Sequence, residues 1–259
     1  MEQETLVTNR VAKGGQGRIR QKNKRRQVGL LGGVERVMQM YDGAIASVDQ
    51  EIGKLADAVK QFGIDDNTLF ILTADHGESL TEHEIYFDHH GLYNETIHIP
   101  LIFKYKELPR GKLVRGFVQH PDIMPTVLDI LNIKNELDYD GKSLLPLIYE
   151  NKQLNPAIFA EETLSETKQM IATHKYKYIR ALSKQDAICK YCRTIHGGIE
   201  ELYDLEKDPG ETRNIVNEQP DEVQKMKAEL AGWINNMENK RGKIRLKARI
   251  KELKQAKRI

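Results

Sequence analysis

The sequence predicts an α/β protein: a sheet flanked by helices, then a small antiparallel C-terminal sheet and a terminal helix. Three observations predict it. Between Leu30 and Phe62, apolar residues recur every three or four positions and lead into a short, wholly apolar strand. After residue 151, short strand-like pieces follow one another closely. From Asp221 to Met237 the helical spacing returns. With 259 residues, 39% of them apolar and 30% charged, the chain can form one large domain or two modest ones.

Residues 1–29 read as a basic, irregular leader, because a polar run around Gly14-Gly15-Gln16-Gly17 buries little. No Gly-Lys-Ser/Thr follows those glycines, so they are not a phosphate loop. Residues 30–150 read as the α/β domain. Val34, Val37, Tyr41, Ile45, Val48, Ile52 and Leu55 trace one helical stripe. Gly63 is the expected stop, Asp65-Asp66-Asn67 the turn, and Leu69–Leu72 the buried strand. Thr81–His90 is polar and is expected to loop over the strand ends. A strand starts at Pro100 or Leu101, and Val114–Val118 reads as another. Asp122–Leu131 is a helix with Pro125 in its first turn, and Leu144–Tyr149 is a further apolar segment. Residues 151–239 read as a smaller unit, with strands at Ala157–Glu161, Met170–Thr173, Tyr176–Ile179 and Glu201–Leu205. Its helix carries Val223, Met226, Leu230, Trp233 and Ile234 on one stripe. Residues 240–259 form a basic tail that prolongs this helix.

The net charge of +2 hides a segregation. Residues 5–34 hold eight Lys or Arg and no acid, and residues 240–259 hold ten against Glu252 alone. The stretch 36–239 has 34 acids and 22 bases, a net of −12. Solvated ends are the expectation. Nucleic acid is not an expected partner, because no aromatic residue is interleaved among Arg10–Arg26 to stack on bases. No run of 18 apolar residues predicts a membrane span. The first 26 residues hold no apolar h-region, so a cytoplasmic location is expected.

The chemistry concentrates in Thr73-Ala-Asp-His-Gly-Glu-Ser79, where an apolar strand ends. Ligands of open α/β sheets sit beyond the carboxyl ends of strands. Asp75 and His76 suit a divalent cation and point to a metal-assisted hydrolase. The plainer reading makes Asp75 a helix cap and His76 an orienting group. Gly77 is expected to permit a tight turn. Cys189 and Cys192, with His196, give three zinc ligands at Cys-x2-Cys-x3-His spacing. A reduced surface pair or a local disulfide are the competing readings.

Tyr41-Asp-Gly-Ala-Ile-x-x-Val48-Asp49, Asn67-Thr68, Thr73-Ala-Asp-His-Gly77 and Leu92-Tyr-Asn-Glu95 leading to Ile99-Pro-Leu-Ile102 form an ordered set. Asp122-Ile-Met-Pro-Thr126, Gly141-Lys-Ser-Leu144, Glu201-Leu-Tyr-Asp-Leu205 and Asp208-Pro-Gly-Glu211 continue it. The set spans roughly residues 36–237 and resembles the sulfatase family of the alkaline phosphatase superfamily. The resemblance implies that family's sheet, present in part. It implies hydrolysis of a sulfate ester, on a small molecule or a saccharide, with no membrane partner. It also implies a divalent metal, Ca2+ first, with Mn2+, Mg2+ or Zn2+ as alternatives, held in part by Asp75 and His76. His89 falls where many members have a lysine that contacts sulfate, and His90 is its neighbouring alternative for catalysis. His83 and Asp88 are expected behind them. His98 replaces a common arginine, His120 is expected near the cleft, and His174 and Lys175 are candidates for substrate selection. Glu78 and Glu82 read as solvated loop acids.

The family's nucleophile is a formylglycine made within Cys/Ser-x-Pro-x-Arg, and this sequence has no such motif. No aspartate pair precedes residue 36 either. The chain therefore reads as the C-terminal portion of a longer enzyme, with very low activity expected alone. A related phosphatase or phosphonate/phosphodiester hydrolase, or an inactive remnant, are the alternatives.

Overall fold

A computed structural model describes residues 5–7, 33–134 and 137–256, with side chains described over 33–134 and 137–242. Two four-stranded sheets carry the fold. The first is built from β1 (Thr5–Val7), β2 (Phe70–Thr73), β3 (Leu101–Lys104) and β4 (Leu113–Val114), in the order β2-β3-β1-β4. β3 runs antiparallel to both its neighbours, while β1 and β4 are parallel. Thr73 pairs with Leu101, so the carboxyl end of β2 lies beside the start of β3.

β1 corrects the irregular reading of residues 1–29. Thr5-Leu6-Val7 has two β-branched residues in three, and it fills the slot between β3 and β4, whose backbone groups it pairs. The basic run downstream dominated the composition and concealed it. The Gly14–Gly17 segment lies outside the described residues.

Helix α1 (Val34–Gln61) precedes β2 and ends as the sequence predicts. Gly63 takes a left-handed φ of 65°. Its N–H donates to Lys60 O at 2.9 Å, and the Ile64 N–H donates to Val59 O at 3.2 Å, a Schellman closure. The expected stripe is present, yet no residue of α1 is buried among the described residues. Leu55 on that stripe is 58% exposed. The stripe is a helix signal here without being a core signal.

The first core gathers Leu101, Phe103, Val114, Leu144, Leu147 and Ile148. Helix α2 (Asn94–Ile97) opens the approach to β3, and α3 (Ile123–Ile130) and α4 (Leu145–Glu150) pack beside the sheet. The strand predicted over Val114–Val118 stops at Val114, because Gly116 turns the chain with φ 155°. A 3-10 turn at His120–Asp122 replaces the expected first helical turn. Buried Asp122 anchors it, accepting from the N–H groups of Gln119 (2.9 Å) and Lys142 (2.8 Å).

The second sheet is an antiparallel meander of β5 (Ile158–Glu162), β6 (Lys168–Ala172), β7 (Tyr176–Ala181) and β8 (Glu200–Asp204). Short helix α5 (Lys184–Ala187) follows β7. Side chains alternate faces along a strand, and the sheet uses both. Ile171, Tyr178 and Leu202 meet Val223, Met226 and Leu230 of the long helix α6 (Pro220–Ala256). Met170, Ile179 and Tyr203 meet Ile85, Leu92 and Tyr93 of the loop before α2. That sheet is thus packed between the terminal helix and the loop that bears the candidate histidines. Among the described residues, no helix is long and apolar enough to cross a membrane.

The two apolar stripes should respond differently to truncation. Leu230→Ala empties a fully buried position and is expected to cost about 2–5 kcal/mol. Leu55→Ala is expected to stay within about 0.5 kcal/mol. Urea denaturation of both variants measures the difference, and equal losses would contradict the packing described.

Candidate active site

A cleft of about 840 Å³ opens where β2 ends. Asp75, His76, His89, His98 and His120 line it, with Phe159 and Trp233 on its far side. Thr73 fixes the strand end by donating from Oγ1 to Pro100 O at 2.9 Å. Asp75 follows with its side chain 88% exposed. The backbone N–H of His76 donates to Asp75 Oδ1 at 3.0 Å. That bond, first, and the nearby imidazoles hold the carboxyl below the usual carboxylate range.

His76 lies with Nδ1 2.9 Å from Gly77 O and Nε2 3.5 Å from Asp75 Oδ2. A carbonyl at Nδ1 places the proton there and leaves Nε2 with a lone pair. The His89 ring stacks on His76 with centroids 4.3 Å apart and planes 20° from parallel. Nδ1 of His89 lies 3.8 Å from Asp88 Oδ1 and 4.0 Å from Glu78 Oε2. The ligand atoms of His76, Glu78 and His89 lie within 4.8 Å of one another. Glu78 is therefore drawn into the site, whereas Glu82 is a loop acid that accepts from the N–H groups of Leu80 and Thr81.

Gly77 serves a different purpose from the expected tight turn. It has no left-handed φ. A Cβ on it would run into the Glu95 carbonyl oxygen, and its N–H donates to Thr96 O at 2.8 Å. The glycine permits close approach of two backbones.

His90 also borders the cleft, but it is buried. Its side chain is 4% exposed, with Nδ1 3.5 Å from Asp88 Oδ1 and Nε2 3.9 Å from Cys189 Sγ. His90, Glu166, Cys189 and His196 are all buried, with ligand atoms within 4.8 Å of one another. Cys189 and Cys192 are free thiols. Burial pushes the Cys189 thiol up to about 11, which is unlike an activated nucleophile. Burial also pushes the His196 imidazole down to about 4 and the Glu166 carboxyl up to about 7.

The other predicted residues divide. His120 Nε2 donates to Ala74 O at 2.9 Å and so touches the strand end. Burial lowers the His98 imidazole from its ordinary value. His83 stacks on Tyr93 at 3.6 Å and faces Glu95 Oε2 at 3.5 Å. His174 stacks on Phe117, Lys175 lies over the Tyr176 ring, and neither lines the cleft.

Three glutamates of the second unit hold the loop behind the histidines. Glu162 accepts from Gly91 N at 2.6 Å, and Glu211 from Asn94 N at 2.7 Å. Fully buried Glu201 accepts from Tyr93 Oη (2.8 Å), Tyr203 Oη (2.7 Å) and Lys168 Nζ (3.0 Å). Glu201 and Glu211 stand inside the motifs read from the sequence, but neither spacing nor hydropathy revealed this role. Glu166 gave no signal at all.

A strand-end Asp-His pair, a loop histidine and a sheet backed by a smaller antiparallel unit define the type of the alkaline phosphatase superfamily. Residues 6–133 match the profile of the Sulfatase family, and residues 81–240 match "N-sulphoglucosamine sulphohydrolase, C-terminal". The chain belongs to the sulfatase family. It is 31% identical over 186 residues to an N-acetylglucosamine-6-O-sulfatase of Bacteroides thetaiotaomicron, covering 70% of this chain and 32% of that protein. It is 28% identical over 213 residues to arylsulfatase K of Homo sapiens, covering 78% and 38%. Among solved structures, one in complex with its substrate D-glucosamine-2-N,6-O-disulfate superposes with a TM-score of 0.65. Its identity is 26%, covering 80% of this chain and 41% of that one. The phosphonate monoester hydrolase of Agrobacterium radiobacter shares the fold, with a TM-score of 0.61 at 24% identity, covering 81% and 42%. The chain spans about a third of the length of the curated relatives it matches, 32% to 38%.

Two substitutions test the support of the loop. Gly77→Ala must push β2's continuation away from Glu95, with an expected cost above about 1 kcal/mol. Glu201→Leu strips two tyrosine hydroxyls and Lys168 of their shared acceptor, leaving Lys168 paired with Glu166, and is expected to cost about 1–3 kcal/mol. Thermal and urea unfolding measure both, and a Glu201→Leu protein as stable as the parent would refute the anchoring role.

Proposed function

We propose that this chain supplies the distal part of a metal-dependent site that hydrolyses sulfate esters of saccharides. The observation that carries the reading is the Asp75–His76 pair at the cleft lip, with His89 stacked on His76 at 4.3 Å. The names of a 6-O-sulfatase relative and of a structure bound to a sulfated glucosamine support the saccharide.

The donor set fits a divalent cation. Asp75 offers an exposed carboxylate held in its ionised form, and His76 offers a bare Nε2. Ca2+ takes six to eight oxygen ligands, so the Asp75 carboxylate fills a small part of its shell, and the His76 nitrogen suits a softer divalent ion. When bound, the ion withdraws charge from the ester oxygens. His89 is the residue that meets the sulfuryl group, neutralising its charge or protonating the leaving oxygen. Asp88 and Glu78 lie 3.8 and 4.0 Å from Nδ1 of His89 and would stabilise its cationic form by charge. His90 was the alternative for that contact; its burial and its turn toward Cys189 give it a supporting place instead. A formylglycine does not fit here. The sequence lacks Cys/Ser-x-Pro-x-Arg and Cys189 is buried, so no nucleophilic step falls to these residues.

Calorimetry with Ca2+ tests the pair. Binding is expected only in a chain to which the missing acidic ligands have been restored, and there it should weaken at least about tenfold in Asp75→Ala. Unchanged affinity would sink the assignment. His89→Ala should weaken retention of a sulfated glucosamine while leaving Ca2+ affinity alone. Tighter retention of the matching phosphate ester would instead favour the phosphatase or phosphonate hydrolase class.

A further inference from the structure

Behind the cleft, two segments bring His90, Cys189 and His196 into one cluster, and Cys192 reaches it through His196. The loop after α5 is closed by the bridge between Ile188 and Ile195 and by Cys189 N donating to Thr194 O at 2.9 Å. Arg193 takes a left-handed φ of 63°, and its N–H donates to Cys189 O at 2.9 Å. This tight turn sets the Cys189 thiol against the Cys192 side chain. Cys192 Sγ lies 3.1 Å from His196 Nε2, and Cys189 Sγ lies 3.9 Å from His90 Nε2. The His90 and His196 rings are 5.2 Å apart.

We propose that His90, Cys189, Cys192 and His196 form a structural zinc site, separate from the Asp75–His76 pair. With Zn–S near 2.3 Å and Zn–N near 2.0–2.1 Å, a tetrahedral site has S···N edges of about 3.6 Å. The two observed S···N distances bracket that value. His196 is also oriented as zinc ligands are, by a partner on its other ring nitrogen. His196 Nδ1 donates to His83 O at 3.1 Å, which leaves Nε2 for the metal. His90 Nδ1 lies 3.5 Å from Asp88 Oδ1 without a hydrogen bond, so Asp88 is a nearby countercharge rather than an orienting acceptor. Two thiolates and two imidazoles select zinc over calcium. The bound cation deprotonates both thiols, and the two protons go to solvent.

Glu166 lies within the same cluster but outside the ligand set. Lys168 Nζ is 3.0 Å from its Oε2 and supplies the counter-charge. The site would clamp the loop at His90, one residue from His89, to a turn a hundred positions downstream. A disulfide between the two cysteines, or an unligated thiol pair, are the competing states.

The test uses the reduced 259-residue chain, loaded with zinc and dialysed. Elemental analysis is expected to find one zinc per chain. Cys189→Ser, Cys192→Ser and His196→Ala should each fall below about a tenth of that. Asp75→Ala and Glu166→Gln should retain it. Cobalt(II) in the unsubstituted chain should show thiolate-to-metal charge-transfer absorption and the intense ligand-field bands of a tetrahedral site. That spectrum stands even if a variant fails to fold. Zinc absent from the parent chain, or a cobalt spectrum without thiolate absorption, would overturn the proposal. So would loss of zinc in Asp75→Ala with retention in Cys189→Ser, which would place the metal in the cleft. Retention in Cys192→Ser with loss in Glu166→Gln would overturn the ligand set.

Discussion

The buried Glu201 carboxylate is the interaction on which the rest of the site depends. It collects two tyrosine hydroxyls and a lysine ammonium where no water reaches it. A buried charge is tolerable only when paired and hydrogen-bonded. Glu201 meets that condition by drawing Tyr93 onto the second sheet. Lys168 extends the network to His196 O at 2.6 Å, and Lys177 and Glu211 make a second buried pair at 2.5 Å beside Asn94. The loop from Ile85 to Tyr93 has little regular structure of its own. Its shape is imposed by charges that must be satisfied on the sheet behind it.

This arrangement separates two tasks within one short segment. Apolar packing of Ile85, Leu92 and Tyr93 against Met170, Ile179 and Tyr203 supplies most of the attachment, since each large buried side chain is worth about 1.5–3 kcal/mol. The glutamates add direction, because a carboxylate accepting a single backbone N–H fixes where that peptide points. Successive residues can then differ in exposure. Both histidines border the cleft, His89 half-exposed and His90 buried beside Cys189, with Asp88 near both.

The sequence made the outline legible where local rules coincide with tertiary ones. The spacing of α1, its glycine stop, the apolar strand before Thr73 and the four strands of the meander could all be read, because period and turn chemistry were not overridden. The place of Asp75 and His76 at the cleft was legible because they follow the carboxyl end of an apolar strand. Thr5–Val7 was missed because three residues carry too little pattern against a long basic run. The unburied stripe of α1 shows the opposite failure: periodicity reports which face is apolar, not whether anything covers it. Gly77 was noticed for the wrong reason, since a close approach to Glu95 is set by a segment that no local rule connects to it. The grip of Glu162, Glu201 and Glu211 was invisible for the same cause. Charged residues at strand ends look solvated until the partner loop is in place.

The partners of the cleft loop lie far along the chain. Gly91, Tyr93 and Asn94 are held by residues 71, 108 and 117 positions later. A ribosome adding roughly 5–20 residues per second exposes Asn94 on the order of ten seconds before Glu211. During that interval Tyr93 and its neighbours are synthesised, apolar and without their anchors. The site can take shape only late in synthesis. Whatever shields this loop in those seconds, whether early collapse or a chaperone, acts on the segment that will later hold the chemistry.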